Sequence, residues 1–388
     1  MNSQMNTLLA RDTAAWQRIG GLDTAEEIAH QPALWRALAA TLAKERERVV
    51  AFLTDWLDQP NARVLLTGAG SSAFAGQIAA EELARSVAAR VSAVATTSLL
   101  THPELYLDAA RPTLLVSFAR SGNSPESLGA VELLRRELPE ARFLNITCNA
   151  DGALAREAQG HADSLSVLMP EGSCDRGFAM TSSFSCMLLA ALALLGRVDA
   201  DETVGRIDTL ATLADAALAD WAEPMAALAA QPLARVVYLG SGPLEALARE
   251  AALKVMELSS GRALALADTA LGFRHGPKSM LNGDSVVLLL RSAKPLAQRY
   301  EQDLLDELRR DGIAARCVSI GPRATGAEFA VEVPATAALP DTWLAPLWLV
   351  GAQLFALNKS AALGLTPDSP FPDGTVNRVV QGVTIHAA

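Results

Sequence analysis

No run of lysines and arginines occurs in these 388 residues, and acidic side chains outnumber basic ones 43 to 33, for a formal charge of −10. A protein that tracks a phosphodiester backbone or an anionic membrane needs such a basic stripe. Nucleic-acid and membrane partners are therefore not expected, and any anionic ligand must be small and locally held. Cysteine is scarce as well. Cys148, Cys174, Cys186 and Cys317 form no C-x-x-C pair and have no histidine nearby at zinc spacing, which suits reduced, inert thiols and gives no reason to expect a structural metal. The opening stretch Met1 to Arg18 mixes Asn, Gln, Arg and Asp, where a secretory signal would set a basic start before an apolar core. The most apolar later segment, Trp343 to Leu357, is interrupted by Pro346 and Gln353 and is shorter than the roughly 20 residues of a bilayer span. These absences predict a cytoplasmic protein.

Half of the residues are apolar, so a substantial core is available, and the length favours two domains of ordinary size. The chain also repeats itself. RVLLTGAGSSAFAGQIAAEELAR from Arg63 parallels RVVYLGSGPLEALAREAALKVME from Arg235, with Arg63, Gly68 and Gly70 recurring 172 residues on as Arg235, Gly240 and Gly242. TLLVSFARSG from Thr113 parallels SVVLLLRSAK from Ser285 at the same offset, and ARFLNIT from Ala141 parallels ARCVSIG from Ala315 at 174. An internal duplication explains this pattern. In each half, short β-branched apolar runs alternate with longer amphipathic stretches, the signature of parallel strands joined by crossover helices. The expected fold is α/β: two tandem doubly wound, flavodoxin-like parallel sheets, over residues 44–202 and 203–366. Ahead of them, Thr24 and Glu27 read as a capping box, and Leu34, Leu38, Leu42 and Val49 continue at helical spacing, so residues 1–43 form a helical lead-in. Residues 367–388, PDSPFPDGTVNRVVQGVTIHAA, carry too many early prolines to extend the preceding helix. They make a tail long enough to fold back over a site.

Between a buried strand and a helix stands VSFARSGNSPES, Val116 to Ser127. In an open parallel sheet, ligands bind beyond the carboxyl ends of the strands, where unpartnered N–H groups at helix starts attract phosphate or carboxylate. Ser121, Ser124 and Ser127 add hydroxyls, and the companion loop GAGSS, Gly68 to Ser72, ends the preceding strand of the same domain. Each loop alone also reads as an ordinary helix cap. The rival reading of GAGSSA is a dinucleotide fingerprint, but VATTSLL at the end of the second strand lacks the required acidic residue.

Together with AREAALKVMELSSGRALALADTALGFRHGPKSML, MTSSFS and NRVVQGVTI, these motifs make the chain resemble the sugar isomerase (SIS) fold family. Within it, the galactosamine-6-phosphate deaminase/isomerases, also labelled tagatose-6-phosphate ketose/aldose isomerases, are the nearest pattern. The resemblance implies that Ser72, Arg120, Ser121, Asn123 and Ser124 hold a sugar phosphate, with Ser71, Thr181 and Gln381 as further substrate-site residues. It implies that Glu257, in the motif Lys254-Val255-Met256-Glu257, moves a proton between C1 and C2, and that His275 of the HGP loop opens the sugar ring, delivered from a neighbouring subunit of a homodimer or higher oligomer. It implies no metal and no organic cofactor. Where glucosamine-6-phosphate synthase, whose isomerase half the chain also resembles, captures its ketose with a lysine, this chain has Gln381, which cannot form a Schiff base. Asn2 stands where a glutaminase domain would expose a cysteine, so release rather than supply of ammonia is the expected direction.

The residues themselves allow this chemistry. One carboxylate can take the C2 proton and return it to C1, and Glu250, Lys254 and Glu257 can share one helix face; a solvated Glu/Lys stripe is the plain alternative. His275 lies between Arg274 and Lys278, whose charges favour a neutral imidazole; a structural histidine is its alternative. Glucosamine-6-phosphate deaminase, a ketose/aldose phosphate isomerase and a non-catalytic sugar-phosphate sensor remain open as other functions.

Overall fold

The computed structural model describes residues 7–53, 56–337 and 339–386. Asn2 and the first six residues, on which the expectation of an absent leader partly rests, lie outside the described residues. A short hairpin, β1 (Thr7–Leu8) and β2 (Arg11–Asp12), precedes three helices, α1 (Thr13–Ile19), α2 (Leu22–Ala29) and α3 (Gln31–Leu53). The expected Leu34, Leu38, Leu42 and Val49 are buried along α3. The capping box is not formed. Gly21 is the N-cap of α2, and the N–H groups of Asp23 and Thr24 are taken by the carboxylate of Asp368, at 3.1 and 2.8 Å, while the Thr24 hydroxyl donates to the same group at 2.7 Å. An ionised side chain from the tail is a stronger acceptor than a hydroxyl of the helix itself, and it displaces the local pairing.

The next elements are β3 (Arg63–Thr67), α4 (Ser71–Ser86), β4 (Arg90–Ala93), α5 (Thr96–Thr101), α6 (Pro103–Tyr106), β5 (Thr113–Ala119), α7 (Pro125–Glu137), β6 (Arg142–Thr147), α8 (Ala153–Ala158), β7 (Ser164–Leu168) and α9 (Ser182–Leu195). The strands pair in parallel in the order β4-β3-β5-β6-β7. β5 is central and buried at every residue, which is why its sequence, TLLVSFA, is apolar on both faces apart from Thr113 and Ser117 rather than an alternation. α9 is buried on all sides, so it too is apolar all round.

After α10 (Ala200–Ala229) come β8 (Arg235–Leu239), α11 (Pro243–Leu258), β9 (Leu264–Asp268), β10 (Ser285–Leu290), α12 (Pro295–Asp311), β11 (Arg316–Pro322), β12 (Phe329–Val331) and α13 (Asp341–Ala362). The second sheet runs β12-β11-β10-β8-β9, all parallel. Read from its other edge this is the same order as the first, a doubly wound arrangement of the flavodoxin type. Gly70 and Gly242, 172 residues apart, cap α4 and α11 with φ of 57° and 59° and ψ of −128° and −130°. Only glycine adopts that backbone readily, so the repeated glycine follows from a repeated turn.

The chain divides into two compact units. One comprises Leu34–Cys174, Ser182–Ile207 and Gly374–Ala388 and holds the first sheet. The other comprises residues through Ala33, Asp175–Thr181 and Asp208–Asp373 and holds the second. Among the described residues, no helix is long and apolar enough to cross a membrane.

Candidate active site

In the first unit, GAGSS and the Arg120–Ser127 loop leave the carboxyl ends of the neighbouring strands β3 and β5 and open α4 and α7. Ser71 and Ser72 are nearly buried at the start of α4. Ser124 is the N-cap of α7: its Oγ accepts the N–H of Ser127 at 3.3 Å, and its hydroxyl donates to Ser127 Oγ at 2.8 Å. The Ser121 Oγ accepts the N–H of Asn123 at 3.2 Å, and Asn123 Oδ1 accepts the N–H of Ala153 at 2.9 Å. Asn123 therefore ties the loop to α8, while Ser121 and the α7 N-terminus stay together at the strand end. Arg120 is buried, and its guanidinium donates to the carbonyl of Arg378 in the tail at 2.8 Å. Gln381, further along that tail, is exposed.

In the second unit, Glu250, Lys254 and Glu257 do line one face of α11. The Lys254 Nζ lies 3.2 Å from Glu250 Oε1 and 2.7 Å from Glu257 Oε2. Glu250 and Lys254 are buried, whereas the Glu257 side chain keeps 23 % of its surface. A solvated stripe would expose all three. Burial works against the charge of Lys254, but the carboxylates of Glu250 and Glu257 outweigh it, and its pKa is displaced upward. The result is a partly exposed carboxylate held on a fixed buried ammonium.

His275 is exposed in a loop of two 3-10 turns, Gly272–His275 and Pro277–Met280, anchored by the buried Phe273. Its neighbours are engaged elsewhere: Arg274 Nε donates to Glu307 at 2.7 Å, and Lys278 pairs with Glu307 and, at 2.5 Å, with Asp311. Two cations thus meet two carboxylates of α12. Hydrogen bonds from Lys278 and Arg274 hold the Glu307 carboxyl below its ordinary pKa.

Thr181 lies in the Asp175–Thr181 segment, where its N–H and hydroxyl are held by the carboxylate of Asp175 at 2.9 and 2.7 Å. Sequence reasoning missed what supports that segment. Glu27, buried in α2, accepts the backbone N–H groups of Arg176 and Gly177, the latter at 3.2 Å to each oxygen. Burial, with Asp175 nearby, raises its pKa to about 8. A side chain at Gly177 would collide with Thr24 and Glu27. Phe178 packs on Phe371 of the tail, with ring centroids 5.2 Å apart, and the Ser260 hydroxyl, just past α11, bonds the Pro370 carbonyl at 2.5 Å. The signal available in the sequence was Glu27 itself, an acidic residue on the inward face of an amphipathic helix.

A family model for the SIS domain matches residues 57–197. The chain is 44 % identical to D-galactosamine-6-phosphate deaminase AgaS of Escherichia coli, over 94 % of this chain and 96 % of that protein. It is 38 % identical to D-galactosamine-6-phosphate deaminase AgaS of Shewanella sp. (strain ANA-3), over 95 % of this chain and 92 % of that protein. The crystal structure of tagatose-6-phosphate ketose/aldose isomerase from Escherichia coli matches with a TM-score of 0.86 at 39 % identity, covering 97 % of this chain and 99 % of that one. With both sheets, both serine loops and the Lys254–Glu257 pair inside the matched span, the chain belongs to the SIS-domain family, in its branch of deaminases and isomerases of sugar phosphates.

Proposed function

We propose that this protein is a cytoplasmic amino-sugar phosphate deaminase/isomerase that converts D-galactosamine 6-phosphate and water to D-tagatose 6-phosphate and ammonium. The observation that carries the reading is the Glu257 carboxylate held at 2.7 Å by the buried Lys254, in a chain 44 % identical to a protein of that name. The phosphate rests on the N-terminus of α7 and the hydroxyls of Ser72, Ser121 and Ser124, with Arg120 and Asn123 shaping the loop. Ser71, Thr181 and Gln381 complete the substrate surroundings. His275, from the partner subunit of a homodimer, moves the proton that opens the ring. Glu257 then takes the C2 proton, leaving an enolamine, and returns a proton to C1. This produces a C2 iminium; water adds at C2, ammonia leaves, and the C2 ketone remains. Gln381 forms no covalent bond to the sugar.

An ammonia-release assay tests this with the 6-phosphates of galactosamine and glucosamine and their N-acetyl forms. Ammonium and ketose phosphate should form in equal amounts from galactosamine 6-phosphate, with the N-acetylated forms inert. Release from glucosamine 6-phosphate alone would replace the substrate. Absence of release from every sugar would overturn the reading.

A further inference from the structure

The two units repeat one loop and fill it differently. In the first, β5 ends at Ala119, Arg120 and Ser121 follow, the serine Oγ accepts the N–H two residues on at 3.2 Å, and Pro125 opens α7. In the second, β10 ends at Leu290, Arg291 and Ser292 follow, the serine Oγ accepts the N–H of Lys294 at 3.0 Å, and Pro295 opens α12. The strand and the sheet order are the same, the second loop is one residue shorter between serine and proline, and both arginines are buried.

In the second unit this loop closes on two carboxylates. Both oxygens of Glu301 accept the N–H of Ser292, at 3.2 and 3.3 Å, and one lies 3.3 Å from Arg291 Nε. Asp341, the first residue of α13, accepts the Ser292 hydroxyl at 2.5 Å and the N–H of Ala293 at 2.6 Å. Glu301 is 0 % and Asp341 5 % exposed. Loop N–H groups, serine hydroxyls and a guanidinium are the donor set that recognises phosphate, and here they converge on the chain's own acids. Six residues after Pro125 stands Val131, where Glu301 stands six after Pro295, and the buried helix that follows the fifth strand opens with Ser182 instead of Asp341.

We propose that Glu301 and Asp341 are built-in anions that occupy, in the second repeat, the cradle that takes the substrate phosphate in the first, so that each chain accepts a single phosphate. The stoichiometry rests on the phosphate reading of the first cradle; the plugging of the second does not. A buried guanidinium costs stability unless an anion faces it, and supplying that anion from α12 completes the second unit without ligand.

Two measurements test this. Titrating the wild-type chain with inorganic phosphate should give one site per chain, and two sites would overturn the proposal. Glu301→Ala opens a hollow beside Arg291 and the Ser292 N–H. At about pH 8.5, above the Glu301 pKa of about 7 so that wild type carries the ionised carboxylate, the variant's melting temperature should lie below wild type in chloride and recover by several degrees in formate or phosphate at equal ionic strength, beyond any rise in wild type. Glu301→Gln, which fills the hollow with a neutral amide, should not be rescued. An anion response of Glu301→Ala no greater than that of wild type would overturn the proposal. If Glu301→Ala does not fold, the wild-type titration decides. If wild type binds no phosphate while Glu301→Ala is rescued, the first cradle's assignment fails and the plugged second cradle stands.

Discussion

An ammonium buried between two carboxylates sets the residue-scale chemistry, because Lys254 can neither leave nor lose its proton easily while Glu250 and Glu257 flank it. Glu257 is thereby fixed with one face toward solvent. The serines divide by role in the same way. Ser124 has its Oγ committed to the start of α7, so replacing it costs helix stability of about 1 kcal/mol as well as any ligand contact. Ser121 is the cleaner probe. Ser121→Ala should raise KM for the phosphorylated sugar roughly 10- to 100-fold, the worth of one hydrogen bond to a charged group, with kcat little changed. An unchanged KM in steady-state kinetics would move the phosphate elsewhere.

Among the elements, the alternation of parallel strands and helices in two doubly wound units was legible, since a central parallel strand such as β5 is mostly apolar on both faces and a doubly wound unit must alternate. The shared face of Glu250, Lys254 and Glu257 was legible too, because helix periodicity alone decides it. What stayed hidden depended on partners distant in sequence. Thr24 and Glu27 have capping-box spacing, yet Thr24 bonds Asp368, 344 residues away, and Glu27 turns to the backbone of Arg176 and Gly177. Arg274 and Lys278 adjoin His275 in sequence, but their charges are met by Glu307 and Asp311. The Asp368 cap is itself testable. Asp368→Ala removes the acceptor of two N–H groups and one hydroxyl and should lower stability by about 1–2 kcal/mol in denaturant titration. An unchanged midpoint would show that α2 does not depend on the tail.

Across the whole molecule, two buried acids set a pH dependence of stability. Burial raises the pKa of Glu27 to about 8 and of Glu301 to about 7. Each binds its proton more tightly folded than unfolded, so between the unfolded value of about 4.5 and these folded values the native chain holds more protons. Stability from these groups is therefore full below that window, falls as pH rises through it, and is flat above about 8. The melting temperature should decline from pH 5 toward pH 8, and Glu27→Gln should flatten the upper part of that decline; a melting temperature that rises across the range would contradict the assignment. Glu257→Gln decides whether Glu257 moves the C2 proton of an amino-sugar phosphate. With galactosamine 6-phosphate in deuterated water, wild type should release ammonium and incorporate deuterium at C1 of the ketose. The variant should lose about 10² to 10⁴ in kcat, with deuterium incorporation falling in step and KM largely kept. Near-normal ammonium release and C1 labelling by a folded Glu257→Gln chain would take Glu257 out of the proton transfer.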